Sequence, residues 1–165
     1  MNLVSKSVEE TLALGRRIGQ FAEGNQLVAL HGDMGAGKTH LTRGIAEGAG
    51  VADVGVVSSP TYVICNIYPR DPHGEKGGKS KTVFHLDAYR TNGEEDFTSL
   101  GFDELLQQDG IVVVEWAAKI PELLPADHLA VMIEPVDENT RQFSFTATGP
   151  KSARLLALLA GASAP

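Results

Sequence analysis

The sequence predicts a single α/β domain with a central, mostly parallel sheet flanked by helices. Apolar runs typical of buried strands, such as residues 27–30 and 111–114, alternate with segments of helical periodicity. A glycine-rich turn joins the first of these runs to the helix that follows it. The chain has 165 residues, 42% of them hydrophobic, which is enough for one core but not for two ordinary domains. We therefore expect residues 1–160 to form one domain.

The N-terminal third has the element order helix, strand, helix. Ser7 begins a capping-box pattern, and apolar residues then recur at helical spacing as far as Ala22, which predicts a first helix. Residues 27–30 predict a buried strand. A second helix is expected to run from the glycine-rich turn to about Gly48. This order is typical of the start of an α/β fold.

Strands and helices also alternate in the rest of the chain. The remaining β-structure is expected at residues 56–68, 82–86, 111–114, 128–133 and 142–148. The remaining helices are expected at residues 94–108, 117–124 and 152–159. Between them, the polar, glycine-rich residues 70–81 predict a flexible, exposed loop insertion, and residues 161–165 predict a disordered tail.

Composition argues against several classes of function. Fourteen basic and twenty-one acidic residues leave a net charge of −7, so we expect no strong direct binding to nucleic acid. The chain contains neither a secretory leader pattern nor a run of about 18 apolar residues, so we expect a cytoplasmic protein without a membrane span. Cys65, the only cysteine, lies in an apolar run and is expected to be a buried structural thiol.

A phosphate-binding pattern, G-x-x-x-x-G-K-[ST], is matched in full between a predicted strand and a predicted helix. Its glycines allow successive backbone N–H groups to surround phosphate oxygens, and the helix N-terminus adds partial positive charge. Lys38 would reach the β- and γ-phosphates, and the Thr39 hydroxyl would bind Mg²⁺. The residues expected to contact the nucleotide, ATP, are Gly32, Asp33, Met34, Gly35, Ala36, Gly37, Lys38, Thr39 and His40.

Two carboxylates follow other predicted strands. Glu115 comes directly after residues 111–114, where a parallel strand delivers side chains to a ligand crevice, so we expect it to share the magnesium site with Thr39. A solvent-facing carboxylate is the alternative. Asp87 ends another strand and is expected either to order the magnesium shell or to accept a proton from water.

Neighbouring residues leave more than one interpretation open. Arg90 either serves the site or forms a structural ion pair with Asp87 or with an acid at residues 94–96. His85 is expected to be a packed, hydrogen-bonded strand residue rather than a metal ligand. Thr61, in the proline-marked segment 58–62, has a hydroxyl suited to magnesium or the γ-phosphate, as in nucleotide-sensing loops.

The motifs in this order resemble the TsaE family, small ATPases that bacteria require to make the threonylcarbamoyladenosine modification of tRNA. The residues that carry the resemblance are Thr11, residues 31–39, Ser59-Pro-Thr-Tyr62, His85-Leu-Asp-Ala-Tyr-Arg90, Leu100-Gly101, Glu115-Trp116 and Leu124-Pro125. The chain departs from the family pattern at Met34, where leucine is common, and in the loop at residues 70–81.

The resemblance implies an ATPase that is slow alone and supports two partners, the threonylcarbamoyltransferase TsaD and its pseudo-paralogue TsaB. It implies catalytic roles for Lys38, Asp87 and Glu115, with Thr39 and Glu115 at the metal. Thr11, Thr61 and Arg141 would lie near the nucleotide.

Three other functions remain compatible with a phosphate-binding loop. A small-molecule kinase would need an arginine-rich lid, whereas the arginines of this chain are scattered along it. A GTP switch would need an Asn-Lys-x-Asp stretch, and the sequence contains none. The third is a non-enzymatic module in which ATP only organises a partner interface.

Overall fold

The computed structural model describes residues 1–73 and 79–161. The strands are β1 (Asn2–Ser5), β2 (Gln26–His31), β3 (Cys65–Tyr68), β4 (Thr82–Asp87), β5 (Gly110–Glu115), β6 (Leu129–Pro135) and β7 (Arg141–Ala147). The helices are α1 (Val8–Phe21), α2 (Lys38–Ala49), α3 (Glu94–Leu100), α4 (Phe102–Leu106) and α5 (Pro150–Gly161), with short 3-10 turns at Ala117–Lys119 and Pro121–Leu123.

The strands form one sheet in the order β1-β7-β6-β2-β5-β4-β3. The four central strands β6, β2, β5 and β4 are parallel, whereas β1, β7 and β3 add antiparallel pairs at the two edges. The predicted α/β class is therefore confirmed, and the sheet is mixed. Strand β1 was not predicted, because its four residues are too few to show a period and it forms by pairing with β7.

Helices cover both faces of the sheet. One buried cluster joins α1, α2 and α5 to one face, and a second joins α3, α4 and the segment after β5 to the other. Helices α1 and α2 pack unusually closely through glycines, since a Cβ on Gly44 would lie 2.4 Å from the carbonyl oxygen of Leu12. This contact fixes α2, which begins at Lys38, against α1.

Three predicted elements differ from the structure. Only Cys65–Tyr68 of residues 56–68 is a strand, because the segment turns after Pro60 and Ile64 has a φ of 66°. The helix predicted at residues 94–108 is broken into α3 and α4 at Gly101, whose φ of 80° ends a helix. The helix predicted at residues 117–124 is instead the two 3-10 turns, with Pro121 starting the second.

Two other expectations concern the loop and the tail. Residues 74–78 of the expected 70–81 loop and residues 162–165 of the expected tail lie outside the described residues, so both expectations stay predictions. Gly161 itself belongs to α5. Within residues 1–73 and 79–161, no helix is long and apolar enough to cross a membrane.

Candidate functional site

The glycine-rich turn lies between the end of β2 and the start of α2, at the carboxyl edge of the parallel strands. Gly32, Gly35 and Gly37 have φ values of 136°, 76° and 111°, which other residues rarely adopt. A Cβ on Gly35 or Gly37 would meet nothing within 4 Å, so this backbone borders open space. Gly37 caps α2 without a side-chain hydrogen bond, which leaves the helix N-terminus to an external acceptor.

Lys38 is folded back onto the loop that precedes it. Its Nζ donates to the carbonyl oxygens of Gly32 at 2.7 Å and Asp33 at 2.8 Å, and lies 4.1 Å from the centroid of the Trp116 ring. Burial lowers the pKa of Lys38, and the charges of Glu115, Asp87 and Asp33 oppose that shift. The hydrogen bonds of the buried Lys38 ammonium therefore go to neutral carbonyl oxygens.

Glu115 and Asp87 are cross-strand partners at the ends of β5 and β4. Both are buried, with 3% and 2% of their surfaces exposed. Glu115 Oε1 accepts from Thr39 Oγ1 at 3.0 Å and lies 2.9 Å from Nε2 of the fully buried His85. The two carboxylates that the sequence predicted thus lie next to each other, and Glu115 does not face solvent.

Asp87 receives donors from the segment of residues 58–62, here called the 58–62 loop. Its Oδ2 accepts from Thr61 Oγ1 at 2.6 Å and from Ser59 Oγ at 2.8 Å, while its Oδ1 accepts from Tyr89 N at 2.8 Å. These bonds hold the carboxylate in one orientation. The 58–62 loop also contributes Tyr62, whose ring carries the Arg90 guanidinium at 4.5 Å.

One cavity of about 410 Å³ brings most of the predicted residues together. Those that line it are Met34, Gly35, Gly37, Lys38, Thr39, His40, Thr61, Asp87 and Glu115. Such convergence at the carboxyl ends of parallel strands is the usual position of a ligand site in α/β proteins. Met34 is 69% exposed, so its side chain borders the opening rather than the core.

A second, smaller cavity of about 80 Å³ lies on the other side of the same turn. Thr11 and Arg141 line it, and it shares Gly35, Gly37 and His40 with the first cavity. Arg141 donates from Nε to Ala36 O at 3.1 Å, so this side chain supports the turn directly. The Thr11 hydroxyl lies 2.8 Å from Ser5 Oγ. These two residues border the turn from a side that the main cavity does not reach.

Three predicted residues, Gly32, Asp33 and Ala36, line neither of these two cavities. Gly32 and Asp33 act through the carbonyl oxygens that hold Lys38, and the Ala36 side chain is fully buried in the core. A match to a loop pattern does not distinguish backbone contacts from side-chain contacts.

Sequence reasoning missed several neighbours of the site. Trp116, named above only as part of the family resemblance, packs against the second core cluster and also lines the cavity, where its ring lies under Lys38. Ser59 binds Asp87 beside Thr61, and the sequence signalled it only through the proline-marked segment 58–62 and the family resemblance. Among the described residues, Arg90 contacts the ring of Tyr62 and forms no ion pair with Asp87 or with an acid at residues 94–96. His85 is a packed, hydrogen-bonded strand residue, as expected.

Comparison with known proteins places the chain among the relatives of one family. Residues 5–143 match the family model of TsaE, threonylcarbamoyl adenosine biosynthesis protein. The chain is 36% identical over 141 residues to the tRNA threonylcarbamoyladenosine biosynthesis protein TsaE of Bacillus subtilis, covering 86% of this chain and 82% of that protein. It is 40% identical over 122 residues to the TsaE of Streptomyces coelicolor, covering 73% and 76%.

A solved structure agrees with these sequence matches. The crystal structure of Bacillus subtilis YdiB superposes with a TM-score of 0.80 at 30% identity, and the match covers 99% of this chain and 96% of that one. The similarity therefore includes the whole fold as well as the glycine-rich turn.

Proposed function

The chain belongs to the TsaE family of threonylcarbamoyl adenosine biosynthesis proteins, and from this premise we propose that it binds ATP with Mg²⁺ and hydrolyses the ATP. The hydrolysis would support formation of threonylcarbamoyladenosine in tRNA, with TsaD and TsaB as partners. The expected cytoplasmic location belongs to the same proposal.

The observation that carries the proposal is the convergence of Lys38, Thr39, Asp87 and Glu115 on one cavity. They come from the start of α2 and from the ends of two adjacent parallel strands. An ammonium, a hydroxyl and two carboxylates, next to a helix N-terminus, match the groups that bind phosphate and magnesium in P-loop enzymes.

The residues present fit a triphosphate. The open space beside Gly35 and Gly37 leaves room for oxygens close to the backbone. Lys38 is buried, and its ammonium donates hydrogen bonds to two neutral carbonyl oxygens. Phosphate oxygens would offer Lys38 charged acceptors in their place, and hydrogen bonds of that kind are stronger.

The residues also fit a magnesium ion shared with phosphate oxygens. While the Thr39 hydroxyl donates its proton to Glu115, its lone pairs remain available to a cation. Among the described residues, no group of three or more His, Cys, Asp or Glu residues is arranged to hold a metal alone. The ion would therefore take most of its ligands from phosphate and water, as Mg²⁺ usually does in such sites.

We assign to Asp87 the role of orienting or deprotonating the attacking water. Its carboxylate lines the cavity and is held by Ser59, Thr61 and the backbone of Tyr89. Fixed orientation is what a general base or a water-positioning residue needs.

Arg90 lies in the same cavity on the ring of Tyr62, so its charge lies beside the 58–62 loop. In P-loop enzymes an arginine stabilises the charge that develops on the phosphates in the transition state. If a partner must move Arg90 from Tyr62 to the phosphates for this purpose, hydrolysis is slow without the partner.

The test is ATP hydrolysis by the purified chain with Mg²⁺, alone and with TsaD and TsaB added. Activity that rises with the partners and disappears in Lys38→Ala supports the proposal. If ATP binds but no condition gives hydrolysis, the chain is a nucleotide-dependent assembly module instead. Transfer of the γ-phosphate to a metabolite rather than to water would identify a kinase, and tighter binding of GTP than of ATP would overturn the choice of nucleotide.

A further inference from the structure

We propose that His85 and Tyr68 form a buried positioning relay that couples the Glu115 carboxylate to the 58–62 loop, an inference that rests on the nucleotide site proposed above. Tyr68, His85 and Glu115 lie on the neighbouring strands β3, β4 and β5. Their exposed fractions are 4%, 0% and 3%. His85 and Glu115 alternate with residues of the opposite core cluster, so they share the sheet face that α2 covers.

The first half of the relay joins His85 to the predicted magnesium position. His85 Nε2 lies 2.9 Å from Glu115 Oε1, the same oxygen that accepts from Thr39 Oγ1 at 3.0 Å. A carboxylate oxygen accepts, so Nε2 carries the proton in this contact. The imidazole thus orients the Glu115 carboxylate by hydrogen bonding. Residues that do not touch the metal commonly orient metal-binding side chains in this way in other proteins. Without it, Thr39 alone would hold Oε1.

The second half joins His85 to the backbone of Ser58. The Tyr68 hydroxyl accepts from Ser58 N at 3.3 Å and donates to Ser58 O at 3.1 Å. It also accepts from Asn66 Nδ2 at 3.2 Å and lies 3.4 Å from His85 Nδ1. One hydroxyl proton therefore has two acceptors within reach, Ser58 O and His85 Nδ1. A shift of the imidazole changes how firmly Tyr68 holds Ser58.

The relay ends where the catalytic carboxylate is held. Ser58 directly precedes Ser59, which binds Asp87 together with Thr61. A movement of Glu115 therefore shifts the 58–62 loop through the buried side chains of His85 and Tyr68, and not through the open cavity. Because Tyr68, His85 and Glu115 are buried, loss of one partner among them is costly and displaces its neighbours.

The test measures hydrogen exchange of the 58–62 loop in the ATP-bound chain, with EDTA and with Mg²⁺. We expect Mg²⁺ to slow exchange in the wild type. In Tyr68→Phe, which removes only the hydroxyl, exchange should be roughly tenfold faster in both conditions, and the Mg²⁺ effect should disappear. Peptides from α5, which packs on β6 and β7 toward the other edge of the sheet from β3, are the internal reference.

Two substitutions of His85 separate positioning from folding. His85→Gln keeps an amide donor where Nε2 lies but offers nothing to Tyr68, so it should retain Mg²⁺ affinity within about threefold while losing the effect of Mg²⁺ on the loop. His85→Leu should lose both, with about tenfold weaker Mg²⁺ binding. His128→Gln, at a histidine that does not line the cavity, is the matched control.

The outcomes distinguish this inference from the proposed function. If the wild type binds Mg²⁺ and ATP but Tyr68→Phe keeps the full Mg²⁺ effect on the 58–62 loop, the relay is wrong and the nucleotide site stands. The same holds if exchange in the wild-type loop is independent of Mg²⁺. If the wild type binds no ATP, both are wrong. Equal losses of Mg²⁺ affinity in His85→Gln and His85→Leu would also overturn the relay, because they indicate a packing role only.

Discussion

The Lys38 ammonium lies 4.1 Å from the centroid of the indole of Trp116, the chain's only tryptophan. Trp116 follows Glu115 directly and has a φ of 58°, an uncommon conformation for a large side chain. The turn after β5 thereby places the ring beneath Lys38, where a cation–π contact stabilises the ammonium. The site thus carries an intrinsic fluorescent reporter beside the group that would meet the phosphates.

Binding of ATP should change the fluorescence of Trp116, because phosphate oxygens would draw Lys38 away from the ring. Lys38→Ala should abolish the change and weaken ATP binding about tenfold or more, since it removes hydrogen bonds to a charged ligand. A fluorescence titration with parallel calorimetry measures both quantities. Lys6→Ala, at an exposed position before α1, is the control and should behave as the wild type. An unchanged titration in Lys38→Ala would contradict the assignment.

Thr39 should be needed for the contribution of Mg²⁺ to ATP binding and not for ATP binding itself. Thr39→Ala removes the hydroxyl that joins α2 to Glu115. Loss of a residue that only orients a metal ligand weakens metal binding about tenfold or more. Because Thr39 would bind the ion itself, we expect its loss to lower the Mg²⁺ affinity of the ATP complex by more than about tenfold. Calorimetry with ATP in EDTA and in Mg²⁺ measures the difference.

Thr39→Ser is the matched control, because it keeps the hydroxyl and removes only a methyl group. It should retain most of the Mg²⁺ effect. Equal behaviour of the serine and alanine variants would show that the hydroxyl does not contribute to the metal site.

Asp87 should affect hydrolysis more than binding. Asp87→Asn keeps the shape of the side chain but removes its charge and basicity, so kcat should fall about a hundredfold or more while the Kd for ATP changes little. Single-turnover assays with the partners present measure this. Asp103→Asn, on the exposed side of α4, is the control. A parallel loss of binding and hydrolysis would instead assign Asp87 a structural role.

The parts of the site carried by contiguous residues were predictable, and those that depend on tertiary contacts were not. Residues 32–39 and Glu115 were found because a loop pattern and a strand end are both local signals. The bonds from Ser59 and Thr61 to Asp87 were missed, because β-branched residues around the 58–62 loop favoured a strand over a turn. The relay through His85 joins separate strands and has no local pattern.

The fold shows the same limit. The class followed from alternating strands and helices, whereas the break between α3 and α4 depends on the positive φ of Gly101 within a continuous helical period. Strand β1 exists because β7 offers an edge. Periodicity records which face is buried and carries little information about which edge a short segment will join.

Cys65 should react slowly with thiol reagents near neutral pH. Burial raises the pKa of this thiol from its ordinary value of 9.0 to about 11. The thiolate is the reactive form, so at pH 8 alkylation by iodoacetamide should be about a hundredfold slower than in the urea-unfolded chain. The rate should rise with pH until about pH 11, if the fold persists. Equal rates in folded and unfolded protein would show that the thiol is not desolvated.

Gly44 should tolerate no larger residue at the contact between α1 and α2. A Cβ there would lie 2.4 Å from Leu12 O and 2.9 Å from Gly15 Cα, and neither backbone atom can rotate away. Gly44→Ala should therefore lower the free energy of unfolding in urea by about 1–3 kcal/mol or more, although alanine favours helix.

Gly161→Ala is the matched control, because a Cβ on that helical residue meets no atom of the described residues within 4 Å. It should leave the free energy of unfolding unchanged or raise it by up to about 1 kcal/mol. Since α2 begins with Lys38 and Thr39, a forced separation of the helices should also weaken ATP binding in Gly44→Ala and not in Gly161→Ala. If both variants were as stable as the wild type, the two helices would not pack at this separation, and α1 would not be what holds the glycine-rich turn in place.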